Sequence, residues 1–321
     1  MTLLAYYEHD GALQLLPPDV PLSRAVWIDL LHPTAAESEA VCALGAEVPT
    51  LEDMQEIEIS SRLYRDANTD YMTVVLTGIA PDGRELSSPV TFILQQHLLV
   101  TVRHYESRPF ATYPTRAGKV GAGCGNANRI FLSLLDEIIG RIADHLEGVG
   151  RTLDQVARSV YEPVRARRRQ QTLEHALRRV GRSGEFLGII RLALLTLSRA
   201  VGFYSHTMRE RVGDEGLNHV VKNLSRDLTE LEVHTDFLSG RVGLASDATL
   251  GMINLEQSQT VRIVSVVAVL FVPPTLIASI YGMNFRVMPE LDQAWGYPAA
   301  LGLMLASAVI AWACFRWKDW L

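Results

Sequence analysis

A short polar link, "GMNFRVMPELDQAWGYP" (residues 282 to 298), lies between two long apolar runs near the C-terminus. It carries an amide at Asn284 and acids at Glu290 and Asp292. Carboxylates in such a link concentrate cations from the surrounding water, or merely keep the loop wet. The Asn284 amide either caps a helix that ends at Gly282 or offers a neutral oxygen to an ion. Elsewhere no nucleophile–base pair or metal-ligand cluster stands out, which sets an enzyme aside and leaves no organic cofactor to expect.

The flanking runs decide where this link sits. Ile263–Tyr281 contains no charged residue over 19 positions, close to the roughly 20 needed to cross hydrocarbon. Tyr297–Phe315 is a second uncharged run of similar length. A buried core helix would explain one such run, but two in tandem predict a pair of transmembrane helices at 263–281 and 297–315. Arg262 precedes the first span, and Arg316 and Lys318 follow the second in a basic tail, 316–321. Basic flanks belong in the cytoplasm. The loop 282–296 therefore faces outward, and both termini face inward, in a multi-pass protein of the inner (plasma) membrane. Trp295, Tyr297, Trp317 and Trp320 fall at the expected bilayer interfaces.

The remaining chain must carry these spans. Of its 321 residues 48% are hydrophobic, and the excess concentrates after Val261. A net charge of -6 argues against a nucleic-acid partner. Cys42, Cys124 and Cys314 lie far apart and lack metal-ligand spacing, so a reducing compartment is the simpler reading. The N-terminal "MTLLAYYEHDG" has no secretion-signal pattern.

Residues 1–125 read as an α/β domain. "LLAYYEH", "AVWIDL", "YMTVVLTGI", "VTFILQ" and "LLVTVR" have strand composition. Thr34 with Glu37, and Thr50 with Asp53, have capping-box spacing at two helix starts. "AGKVGAGCGNAN" (117 to 128) is glycine-rich but fails the phosphate-loop pattern, because Val120 follows Lys119 and Tyr113 occupies the first glycine position. It reads as a linker. Residues 126–262 read as a helical stalk that includes the start of a long pore helix. Ile130, Leu134, Leu135, Ile138, Ile142 and Leu146 recur at helical spacing, and Gly213, Asp214 and Gly216 mark a break. "RARRRQQTLEHALRR" reads as a solvated helix face rather than an anion site. A single helix from Leu217 to Tyr281, at about 1.5 Å per residue, would be of order 100 Å long. It must pack against copies of itself or enter a membrane. The fold class is thus α+β with an α-helical membrane part.

"YGMNF" (281 to 285), "MPEL" (288 to 291), "GYP" (296 to 298), "FVPPTLIASIYGMNF" upstream and "FRWKDWL" at the close resemble the CorA family of divalent-cation channels. The strong match covers about the last 75 residues. The resemblance implies a homopentameric funnel in which the first span lines the pore and the second forms an outer ring. It implies Mg2+ as the ion carried, with cobalt and nickel as further substrates. A zinc-carrying sister branch shares Gly282-Met283-Asn284, and "FRVMPEL" favours the magnesium branch.

One span cannot enclose a pore, so copies must surround an axis. Mg2+ gives up water reluctantly. A ring of Asn284 side chains, with Gly282 and Met283 completing the filter, would instead hydrogen-bond to its water shell and hold it weakly enough to let it leave. One helical face below gives Ser279, Thr275, Val272, Ala268, Ser265, Val261 and Ser258, and the family comparison adds Val264. Ser258 departs from the Asn common in the family. The face holds no charge, unlike a proton relay. Asp247 would lie at the inner mouth, and Glu290 and Asp292 would attract cations outside. Pro273-Pro274 frees carbonyls within the span. Inward movement needs no energy-coupling domain, because the membrane potential is worth about 2.3 kcal/mol per charge per 100 mV.

The resemblance further implies that internal Mg2+ binds between neighbouring subunits and shuts the pore. Asp82, Asp227 and Glu230 are the acidic candidates for this regulatory metal, or they are ordinary surface acids. The expected acidic helix position falls on Asn223, one turn from Asp227. Two alternatives stand beside the gated Mg2+ channel. One is a proton-coupled zinc transporter of the sister branch. The other is a two-span receptor or scaffold with a ligand-binding cytoplasmic domain.

Overall fold

The computed structural model describes residues 3–56, 58, 62–79, 85–119, 121–162, 166–210, 215–283, 289, 293 and 295–318, without the side chains of 79, 85, 166–168, 209, 210 and 215. Asp82, Asn284, Glu290 and Asp292 lie outside the described residues. The chain divides into two compact units. One comprises Met1–Ser159 with Arg178–Ser246, and the other Val160–Leu177 with Asp247–Leu321.

The first unit is built on a seven-stranded mixed sheet in the order β2-β1-β3-β7-β6-β5-β4. The strands are β1 Leu3–His9, β2 Ala12–Leu15, β3 Trp27–Leu31, β4 Leu63–Asp66, β5 Thr69–Ile79, β6 Glu85–Leu94 and β7 Leu99–Arg103. Among these strands β3 and β7 pair in parallel, and the other neighbours are antiparallel. Strand alternation sends Val90, Phe92 and Leu94 to one face, where they join a large core, and Ile93 to the other. Because both faces are covered, β7 is buried at all five positions.

Helices α1 (Ala35–Cys42) and α2 (Leu51–Gln55) supply Val41 and Met54 to the smaller core. Both begin with the capping boxes expected from Thr34/Glu37 and Thr50/Asp53. Each box satisfies two end groups of a short helix that could not stand alone. Helix α3 is Arg108–Arg116 and α4 is Ala127–Tyr161. The segment between them is no loose linker. Gly121 and Gly123 adopt left-handed φ values of 60° and 84°. The Ser133 hydroxyl accepts from Ala122 N–H at 2.8 Å and donates to the Gly123 carbonyl at 3.0 Å, while Tyr113 donates to that same carbonyl at 3.2 Å.

Helices α5 (Ala166–Glu210) and α6 (Glu215–Tyr281) complete the larger core. Phe186, Ile190, Leu194 and Leu197 of α5 join Ile130, Phe131 and Leu134 of α4 within it. Thr196 ties α5 to the sheet, accepting from Val75 N–H at 3.0 Å, so that a buried peptide group beyond the β4 pairing keeps a partner. Gly213 and Asp214, expected to mark a break here, lie outside the described residues, and Gly216, expected with them, falls within the first turn of α6.

In the second unit, α6 continues through Pro273 and Pro274 to Tyr281, and α7 spans Gly296–Trp317. Among the described residues, three helices are long and apolar enough to cross a membrane: Arg169–Met208, Gly216–Tyr281 and Gly296–Trp317. The run of uncharged residues predicts the last two and not the first. The apolar stretch of the first is half buried, whereas those of the other two are 0% and 6% buried. Phe186, Leu187, Ile190, Leu194 and Leu197 explain the difference, because they pack inside the first unit's core.

Candidate ion pathway

The expected lining residues share one side of α6. With 3.6 residues per turn, Ser258, Val261, Val264, Ser265, Ala268, Val272, Thr275 and Ser279 cover roughly a third of its circumference. All eight are exposed. The partly covered residues of the same stretch, Val266, Leu270, Pro273, Pro274 and Ile277, fall on the opposite side. Asp247, also exposed, continues the lining face about three turns before Ser258.

Two of the four hydroxyls on this face are tied to their own helix. Ser265 donates to the Val261 carbonyl at 2.8 Å, and Thr275 donates to the Phe271 carbonyl at 2.7 Å. A hydroxyl whose proton is committed to its own helix presents only lone pairs outward. Such a surface accepts hydrogen bonds from the water shell of a cation and carries no charge to hold it.

At the top of α6 the ladder tightens. Gly282 N–H donates to Ala278 O at 2.9 Å, and Met283 N–H to Ile280 O at 3.2 Å, an i to i−3 closure. A Cβ on Gly282 would stand 3.0 Å from the Ala278 carbonyl oxygen, so a side chain there would crowd the helix end. The Met283 side chain is about half exposed.

The regulatory candidates sit in a different setting. Arg226 lies between two of them, 3.7 Å from Asp227 and 3.6 Å from Glu230. Asn223 pairs with His219 at 3.2 Å, one turn earlier. Sequence reading missed Asp136 on α4. Burial, then the charge of Asp227, then that of Glu137 push the Asp136 carboxyl above its usual range. Nothing local in the sequence signals this, because Asp136 and Asp227 are brought together only by packing of α4 and α6. Among the described residues, no group of three or more His, Cys, Asp or Glu side chains could hold a metal ion.

Two bare helices of bilayer-spanning length on a mixed-sheet unit have the make-up of a membrane protein. The family model for CorA-like Mg2+ transporter proteins matches residues 23–317. The chain belongs to the CorA family, whose members are magnesium transport proteins rather than enzymes. The magnesium transport protein CorA of Pectobacterium atrosepticum is 32% identical over 301 residues, covering 94% of this chain and 93% of that one. The Escherichia coli K12 protein of the same name is 32% identical over 302 residues, covering 94% and 93%. Among solved structures, the complete CorA magnesium transporter from Methanocaldococcus jannaschii superposes with a TM-score of 0.75 over 100% of this chain and 99% of that one, at 17% identity. The ZntB cytoplasmic domain from Vibrio parahaemolyticus gives 0.53 at 13% identity, covering 78% and 97%, which is a likeness of fold alone.

Proposed function

We propose that the protein is a passive Mg2+ channel of the inner membrane, driven by the membrane potential and able to carry cobalt and nickel. The observation that carries this reading is the uncharged face of α6 from Ser258 to Ser279, left exposed along its length and furnished with hydroxyls, two of which, Ser265 and Thr275, have their protons already spent. Five copies placed around an axis would bury that face and turn it into a lining. A homopentamer also accounts for so much bare apolar surface, which a lone soluble chain does not tolerate. In this arrangement Gly282, Met283 and Asn284 form the outer filter, Glu290 and Asp292 gather cations outside, and Asp247 stands at the inner mouth. Both termini lie in the cytoplasm. The domain limits read from the sequence then become a cytoplasmic α/β domain (1–125), a stalk (126–262), two spans joined by the 282–296 loop, and a basic tail.

Control rests with the first unit in this reading. Internal Mg2+ would bridge carboxylates of neighbouring subunits, Asp82, Asp227 and Glu230 being the candidates. The mutual repulsion of Asp136 and Asp227 supports a site here, since a cation would relieve it.

The test is metal uptake by the purified protein in vesicles. Mg2+, Co2+, Ni2+ and Zn2+ are offered in turn, with and without a pH gradient. Potential-driven Mg2+ uptake that ignores the pH gradient is the expected result. Zinc uptake that requires a pH gradient would overturn the reading, and so would the absence of all metal flux.

A further inference from the structure

The first unit contains a cavity of about 510 Å³ that plays no part in the ion pathway. It lies where three strands of one direction end. β3 and β7 are parallel, and β5 runs the same way because β6, between β5 and β7, is antiparallel to both. Leu31, Arg103, Thr77 and Gly78 from these strand ends line it, facing the start of α3 at Ser107–Pro109 and Arg141 and His145 of α4. In open sheets, crevices outside the carboxyl ends of strands are the usual ligand sites.

The lining is cationic. It holds Arg103, Arg108 and Arg141 against one acid, Glu106. Arg103 is committed: it is buried, forks onto Asp29 with Nε at 3.0 Å and Nη2 at 2.7 Å, and gives Nη1 to the Tyr105 carbonyl at 2.9 Å. The other two guanidiniums are less so. Arg108 is exposed to the cavity and its guanidinium has no acceptor among the described residues. Arg141 pairs with Asp144 of its own helix at 3.4 Å, and both arginines also border a neighbouring pocket that holds Asp136, Glu137 and Asp144. Ser107, the N-cap of α3, makes no side-chain cap bond, so the first turn of that helix lacks a cap acceptor.

A second observation is independent of these charges. His145 is 9% exposed, lines the cavity, and has no hydrogen bond among the described residues. Its ring meets Phe186 edge-on at 5.3 Å, a contact that uses neither nitrogen, and it also borders a second pocket lined by Phe186, Arg179 and Arg182. Its nitrogens are not sealed from solvent, so the ring is free to offer one of them to a bound molecule.

We propose that this cavity binds a small phosphate-bearing anion. One free guanidinium, a second held only by Asp144, a helix N-terminus without a side-chain cap and the His145 imidazole line one space. A carboxylate would occupy one guanidinium fork, whereas a phosphate has enough oxygens for all four donors. The volume falls in the range of small-molecule sites and exceeds the needs of phosphate alone. A nucleoside monophosphate and inorganic phosphate share the chemistry.

Calorimetric titration of the full-length protein in nanodiscs tests this, with inorganic phosphate, AMP and adenosine as probes at fixed Mg2+. Saturable binding of phosphate or AMP, but not adenosine, is expected. AMP binding more tightly than phosphate identifies a nucleotide ligand, and equal affinity identifies phosphate itself; both support the site. R108A/R141A should weaken binding about tenfold or more, the worth of one charge-assisted hydrogen bond. H145Q, which keeps a donor, should bind more tightly than H145F. Arg108 is exposed and Arg141 partly so, and an unchanged thermal midpoint verifies that the double variant is folded. No saturable binding of either phosphate compound, adenosine binding as well as AMP, or undiminished binding in the folded double variant would each overturn the proposal.

Discussion

The Thr275 hydroxyl donates to the carbonyl of Phe271 at 2.7 Å, one turn back along α6. The bond leaves an oxygen with lone pairs, and no proton, on the face expected to meet the ion. Thr275→Val keeps the shape and removes that oxygen. Mg2+ flux should fall about fivefold, the rate equivalent of one hydrogen bond of about 1 kcal/mol. Thr275→Ser should retain most of the flux. Equal flux in all three proteins would remove Thr275 from the lining.

Val272 stands one turn below Thr275 on the same exposed face. A ring of valines in a narrow pore excludes water and blocks ions without a plug. Val272→Ser should wet that constriction and raise leak in vesicle flux under conditions that close the parent protein. Unchanged leak would move the constriction elsewhere, with Val264 the next residue to replace.

Asp136 gives a pH signature. Its folded-state pKa is raised by burial and by Asp227 and Glu137. Above that pKa the carboxylate is charged in both folded and unfolded chains, and the cost of burying it is fully present. As pH falls through the raised pKa toward the ordinary carboxylate value, the folded state takes up the proton first and the cost is relieved. Asp136→Asn should therefore stabilise the protein near neutral pH, by no more than about 1 kcal/mol after solvent screening. The gain should vanish below about pH 4. Thermal unfolding of both proteins across that range measures it. A gain that grows on acidification would contradict the assignment.

Feedback by internal Mg2+ can be tested with Asp82 and Asp227 both changed to Asn. Flux recordings over a range of internal Mg2+ should show the half-inhibiting concentration raised several-fold. Undiminished inhibition in the double variant would mean that these residues are not the sensor.

Much of the fold could be read from residue patterns. The long strands Thr69–Ile79 and Glu85–Leu94 show themselves through β-branched and aromatic residues, and Thr34 and Thr50 mark helix starts through side chains three residues apart. The short edge strands Ala12–Leu15 and Leu63–Asp66 do not, because "ALQL" and "LYRD" become strands only by pairing with β1 and β5. The glycine-rich segment looks like a linker because its partners, Ser133 and Tyr113, lie outside it. For the site, the helical face from Ser258 to Ser279 is a matter of period and is legible. The Asp136–Asp227 repulsion and the cavity at Arg108, Arg141 and His145 arise from distant segments, and no local spacing announces them.

In the proposed pore the amide of Asn284 meets the ion at the end of the lining helix. Mg2+ uptake by vesicles containing Asn284→Ala, compared with the parent protein at equal amounts of assembled oligomer, tests it most directly. Uptake should be abolished or strongly reduced while the oligomer still assembles. Normal uptake by a well-assembled Asn284→Ala protein would contradict it.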